Sequence, residues 1–127
     1  MMPLVHFEIH SADPERTAKF YTDIFGWTIK KWEGPFDYWL VSSKTDNIGI
    51  DGAITARRGP APADGAAVNA FVCTISVDDL DQRIDQVKRS GGSMALDKME
   101  VPGIGWLAYV KDPEGNTFGM LQPNQPA

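Results

Sequence analysis

The chain has 127 residues, of which 43% are hydrophobic and 23% charged. That balance suits one folded domain, or two half-sized modules, and excludes a disordered chain. Twelve Lys plus Arg against seventeen Asp plus Glu leave a net charge of −5, which argues against a nucleic-acid partner. The single cysteine, Cys73, excludes an intrachain disulfide and any multi-cysteine metal site. No signal peptide and no membrane-length apolar run is read, so a soluble cytoplasmic protein with no membrane partner is the default expectation.

In chain order, Val5-His6-Phe7-Glu8-Ile9-His10 alternates apolar and polar residues, the pattern of a strand with two unlike faces. His6, Glu8 and His10 fall on one face. Asp13-Pro14 then offers an N-cap and a first-turn proline. Ala18, Tyr21, Ile24 and Phe25 recur at helical spacing, and Gly26 stops the helix. Small residues and prolines over 59–67 read as a linker. The second half opens with Phe71 to Val77, where Val72, Thr74 and Ser76 share a face. Asp78 or Asp79 caps a helix with the stripe Leu80, Ile84 and Val87, ended by Gly91-Gly92. Asp112-Pro113-Glu114-Gly115-Asn116 is a turn between strands at Trp106–Lys111 and Thr117–Gln122.

The halves repeat one order of signals. Asp13 maps to Asp79 (79 − 13 = 66) and Gly26 to Gly92 (92 − 26 = 66). Trp39 maps to Trp106 (106 − 39 = 67) and Gly52 to Gly119 (119 − 52 = 67). A one-residue slip in a loop accounts for the change. Each half reads strand–helix–strand–strand–strand, with one module over 4–58 and the other over 68–122 of a single domain, 1–127. The helix of each module is expected to cover the apolar face of its strands.

Several stretches carry a resemblance. They are Val5-His6-Phe7-Glu8-Ile9, Asp13-Pro14-Glu15-Arg16 leading to Phe20-Tyr21, and Phe25-Gly26-Trp27. In the second half they are Val77-Asp78-Asp79-Leu80-Asp81, Pro102-Gly103-Ile104-Gly105-Trp106, and Asp112 to Gly119. Their order and duplication resemble the vicinal oxygen chelate superfamily of glyoxalase I, extradiol dioxygenases and bleomycin-resistance proteins, and its bacterial glyoxalase-like branch in particular. The resemblance implies an α+β fold of two tandem βαβββ modules forming a half-open barrel around a shared cleft. It does not fix the chemistry, because one fold hosts many activities.

In the metal-dependent members each module gives two ligands, a His on its first strand and a Glu on its last. Carried onto this chain, the first-strand positions are His6 and Val72. The last-strand positions are Gly52, with Asp51 adjacent, and Gly119. Only His6 matches, and strand alternation is expected to turn Asp51 away. The resemblance therefore implies an incomplete metal site, with no cofactor expected. Loss of side chains at Gly52 and Gly119 would enlarge a pocket lined by His6, Glu8, Trp39, Val72, Thr74, Ser76 and Trp106.

Two other readings stay open. A divalent ion could sit in a rearranged site of His6 with Glu8, His10 or Asp51, serving a glyoxalase-like lyase or extradiol-type dioxygenase. Successive residues of one strand face lie roughly 7 Å apart, loose for one ion unless another strand contributes. Alternatively His6 or Glu8 serves as a catalytic base with no metal. Trp32, Phe36, Tyr38, Trp39, Trp106 and Tyr109 read either as core packing or as an aromatic wall for a flat ligand. The partner is thus a small molecule, and a homodimer is the default assembly.

Overall fold

The computed structural model describes residues 1–67 and 71–124. The start of the second module, placed at 68, lies outside the described residues. Eight strands and two helices follow in the order β1 (Leu4–Ser11), α1 (Pro14–Phe25), β2 (Thr28–Lys31), β3 (Tyr38–Ser42), β4 (Gly52–Ala56), β5 (Val72–Ser76), α2 (Leu80–Arg89), β6 (Ser93–Val101), β7 (Gly105–Lys111) and β8 (Thr117–Pro123). This is the twofold βαβββ order and the α+β class expected from sequence. Among the described residues no helix is long and apolar enough to cross a membrane. The chain divides into two compact units, His6–Phe71 and Met1–Val5 with Val72–Ala127.

In the unit His6–Phe71 the strands run β2-β3-β4-β1, with β4 parallel to β1 and the other pairs antiparallel. Asp13 caps α1 by accepting from the Arg16 N–H, and Pro14 occupies the first turn. Gly26 closes the helix in the left-handed region, at φ 74°. The core of this unit is Phe7, Ile9, Val41, Ala53 and Ile54. Helix α1 buries none of its residues, and Phe20, Ile24 and Phe25 stay exposed, contrary to the expected apolar stripe. Aromatic rings do the packing there: Tyr21 stacks on Trp27 at 4.9 Å, and Phe7 meets Trp27 at 5.9 Å and Phe71 at 5.5 Å.

The other unit runs β5-β8-β7-β6. Its β5 pairs parallel with β8, and β8, β7 and β6 pair antiparallel. Asp79 caps α2 and accepts from the Gln82 N–H. Ser90 takes the C-cap rather than Gly91, which follows at φ 92°. Leu80 and Ile84 of α2 pack on Val77, Ala108, Val110 and Met120, with Ile75 and Phe118 alongside. Pro3 and Ser76 add a backbone bond of 3.0 Å. The turn at 112–116 is held by Asp112, whose Oδ1 accepts from the N–H groups of Glu114 and Asn116.

The parallel β1–β4 ladder needs a glycine at 52. Gly52 stands in register with Phe7. A Cβ there would lie 2.6 Å from the Phe7 ring and against the Phe7 carbonyl oxygen. Because backbone is part of the obstruction, the strands would have to separate. Gly52→Ala is expected to cost about 1–3 kcal/mol, typical of an overpacked site, in urea unfolding. A variant that unfolds with the parent's midpoint would show that the ladder can yield.

Candidate functional site

Ladder register assigns the paired strand residues of the unit His6–Phe71 to one face or the other, since residues opposite one another point the same way. One face carries the rows Phe7, Gly52, Val41 and Ile9, Ile54, Trp39. The other carries Glu8, Ala53, Leu40 and His10, Thr55, Tyr38, with His6 two residues before Glu8. The expected alternation of β1 thus holds, and Tyr38 joins the polar face.

Glu8 is the centre of that face. It is 7% exposed, an unusual state for a carboxylate. His10 Nε2 lies 2.8 Å from its Oε1, and the Tyr38 hydroxyl donates to Oε2 at 3.3 Å. These partners offset the cost of removing a charge from water. His10 is half-buried near the end of β1. Its carbonyl accepts from Arg57 Nη2 at 2.9 Å.

Burial pushes the His6 imidazole below its ordinary value of 6.5, while Glu8 and Asp51 pull it upward. Burial is the larger cause, so the ring is neutral at pH 7. A neutral imidazole can donate and accept at once, which suits binding a polar group or taking up a proton.

Asp51 corrects one expectation. Alternation was expected to turn it away from His6, yet it acts on that ring. The register explains this: Gly52 is the residue on the Phe7 face, and its neighbour falls on the other. Asp51 also organises its own loop, its Oδ1 accepting from the N–H groups of Ser43 and Lys44 at 3.0 Å each.

The two glycines do not open a pocket. Phe7 fills the space over Gly52, as described above. In the other unit, a Cβ on Gly119 would lie 2.7 Å from the Thr74 hydroxyl oxygen and 3.3 Å from Tyr109. Thr74 is buried and in register with Gly119, and Ser76 with Leu121. Val72 is half-buried two residues earlier on that face.

Trp39 and Trp106 also differ from their expected places. Trp39 shares a row with Ile54 and Ile9, on the face opposite Glu8. Lys31 Nζ sits 5.3 Å above its ring. Trp106 pairs with Gln122 on the same side as Ala108 and Met120, the side packed against α2. Lys98 Nζ lies 5.0 Å over that ring and bonds Asp81 of α2. Neither indole therefore shares a face with Glu8 or Thr74 in its own unit.

A divalent ion needs three or four converging donors. Across from Glu8 on β4 stands Ala53, and across from Thr74 on β8 stands Gly119; neither has a donor. Among the described residues no three His, Cys, Asp or Glu side chains are grouped to hold an ion. Glu8 and His10 bond each other, and Asp51 holds its loop. Of the positions that the resemblance implies, His6, Val72, Gly52 and Gly119, His6 alone carries a donor side chain.

The His6 shift has a consequence for stability. The unfolded chain takes a proton on this ring near pH 6.5, and the folded chain only at lower pH. Stability from this group is therefore intact above 6.5 and falls as pH drops toward the lowered folded value. His6→Asn is expected to show a smaller loss of unfolding midpoint between about pH 7.5 and about pH 5.5 than the parent. Equal losses in the two proteins would contradict a burial-lowered imidazole.

Residues 4–120 match the Glyoxalase/Bleomycin resistance protein/Dioxygenase superfamily. A glyoxylase-like domain-containing protein of Didymella fabae is 33% identical over 120 residues, covering 89% of this chain and 88% of that protein. The putative glyoxylase CFP32 of Mycobacterium bovis is 28% identical over 119 residues, covering 93% of this chain. The chain spans 44% of that relative's length, under half. Among solved structures, the hypothetical protein BH1468 of Bacillus halodurans superposes with a TM-score of 0.70 at 13% identity, over 99% of this chain and 97% of that one. On the family match and the relative from Didymella fabae together, the chain belongs to the glyoxalase, bleomycin resistance protein and dioxygenase superfamily.

Proposed function

We propose that this chain binds a small organic molecule, apolar or aromatic, in the cleft expected of its family, and does so without the family's usual ion. The observation that supports the reading is the engagement of Glu8, whose two oxygens face His10 Nε2 at 2.8 Å and the Tyr38 hydroxyl at 3.3 Å. His6 remains as a neutral hydrogen-bonding group, and Glu8 as a paired carboxylate beside it.

A second reading has one observation in its favour. Glu8 and Asp51 both act on His6, so two carboxylates lie within electrostatic reach of the one residue that matches the ligand pattern. Under that reading the chain is a divalent-metal-dependent lyase or extradiol-type dioxygenase with a rearranged centre. A divalent ion there would act as a Lewis acid on vicinal oxygens.

Elemental analysis of protein purified without chelator separates the two. The binding reading expects Fe, Mn, Ni and Zn far below one equivalent, unchanged in His6→Ala. Near-stoichiometric metal that vanishes in His6→Ala would establish the second reading instead.

A further inference from the structure

One tripeptide occurs twice in this chain, as Asp51-Gly52-Ala53 and as Asp64-Gly65-Ala66. An aspartyl–glycyl bond rearranges without a catalyst. The glycine amide nitrogen attacks the side-chain carbonyl carbon of the aspartate, a C–N bond forms, and the carboxyl oxygen leaves as water. The cyclic imide then takes water back at either of its carbonyls. Opening at one restores aspartate. Opening at the other runs the main chain through Cβ, giving isoaspartate with a free α-carboxylate. Water lost and water regained balance, and no oxidant or other reactant enters. Glycine favours the attack because no side chain shields its nitrogen. By sequence the two sites are equal, so a difference between them must come from the fold.

The fold sets them apart. Gly52 is buried in β4, in register with Phe7 of β1 on one side and Val41 of β3 on the other. The Phe7 ring and carbonyl fill the space beside its Cα. The Asp51 carboxylate is held by the N–H groups of Ser43 and Lys44. Closing the imide there requires the ladder to open and both of those bonds to break.

Asp64 and Gly65 are exposed, at the centre of a turn closed by the Ala66 N–H donating to the Ala63 carbonyl at 3.1 Å. Gly65 has φ 81°, as the third residue of such a turn requires, and a Cβ there would meet nothing within 4 Å. Among the described residues no group bonds the Asp64 carboxylate or the Gly65 N–H. The pair lies between β4 and β5, outside every strand and helix. An added main-chain atom there disturbs no ladder.

We propose that Asp64–Gly65 is a site of spontaneous isoaspartate formation in the folded protein, and that Asp51–Gly52 is protected from the same reaction by its strand. The inference stands apart from the small-molecule reading.

Ageing the full chain for weeks in mildly acidic buffer, folded and in parallel in urea, tests this. Mild acid favours the reaction because a protonated carboxyl group loses water more readily than a carboxylate loses its oxygen. Isoaspartate is counted with isoaspartyl methyltransferase and labelled S-adenosylmethionine, and located by electron-transfer fragmentation of peptides. In the folded protein at least about tenfold more is expected at Asp64 than at Asp51. In urea the two positions should approach equality. Asp64→Glu, which must close a larger ring, should abolish the signal from that peptide with no change in unfolding midpoint. Isoaspartate absent from Asp64, or equal at Asp51 and Asp64, in the folded protein overturns the proposal. So does an excess at Asp64 that persists in urea, since it would place the difference in the chain rather than in the fold.

Discussion

Everything at the candidate site depends on how β1 lies against β4. The pair is parallel, and Phe7 faces Gly52 across it. Only a residue with no Cβ lets the Phe7 ring and carbonyl lie so close. Once that contact is fixed, the two-residue period of the strands assigns all the rest. Phe7, Ile9 and Ile54 go to the buried side with Val41. Glu8 and His10 go to the other with Ala53, Thr55 and Tyr38. A slip of one residue would exchange the two sets and place a carboxylate among hydrocarbon side chains.

The polar side is costly in its own way. Glu8 is nearly removed from water and keeps hydrogen-bond partners to offset this. His6, close by, takes the opposite route and sheds its proton. The face thus holds a hydrogen-bonded carboxyl group and an imidazole that burial keeps neutral at pH 7.

Much of the fold was legible because its punctuation is local. Asp13-Pro14 and Asp79 start the helices, Gly26 ends the first, and Asp112 to Asn116 makes the final turn. The twofold order of elements followed from those signals. The site was less legible because it depends on register, which no local signal sets. Glu8 pairs with Ala53 and Thr74 with Gly119, so Ala53 and Gly119 are equivalent, at 119 − 53 = 66. The sequence alignment of Gly52 with Gly119 was one residue out, and one residue is a whole face. Trp39 and Trp106 fell to the same problem, since Leu40 corresponds through Ala53 to Tyr109, and Trp39 to Ala108. The Tyr38–Glu8 bond spans thirty positions and left no trace in spacing.

The four tryptophans now have distinct surroundings. Trp27 stacks on Tyr21 with their planes 6° from parallel, and Trp39 and Trp106 each lie under a lysine ammonium. Of the four, Trp32 packs on Tyr38, whose hydroxyl donates to the buried Glu8. The chain therefore carries four built-in chromophores in unlike settings, and its ultraviolet emission is a composite of them. Three of these indoles are bystanders to the polar face. The fourth is an optical reporter placed there by the fold, so its contribution can be isolated by subtracting the spectrum of a chain that lacks it.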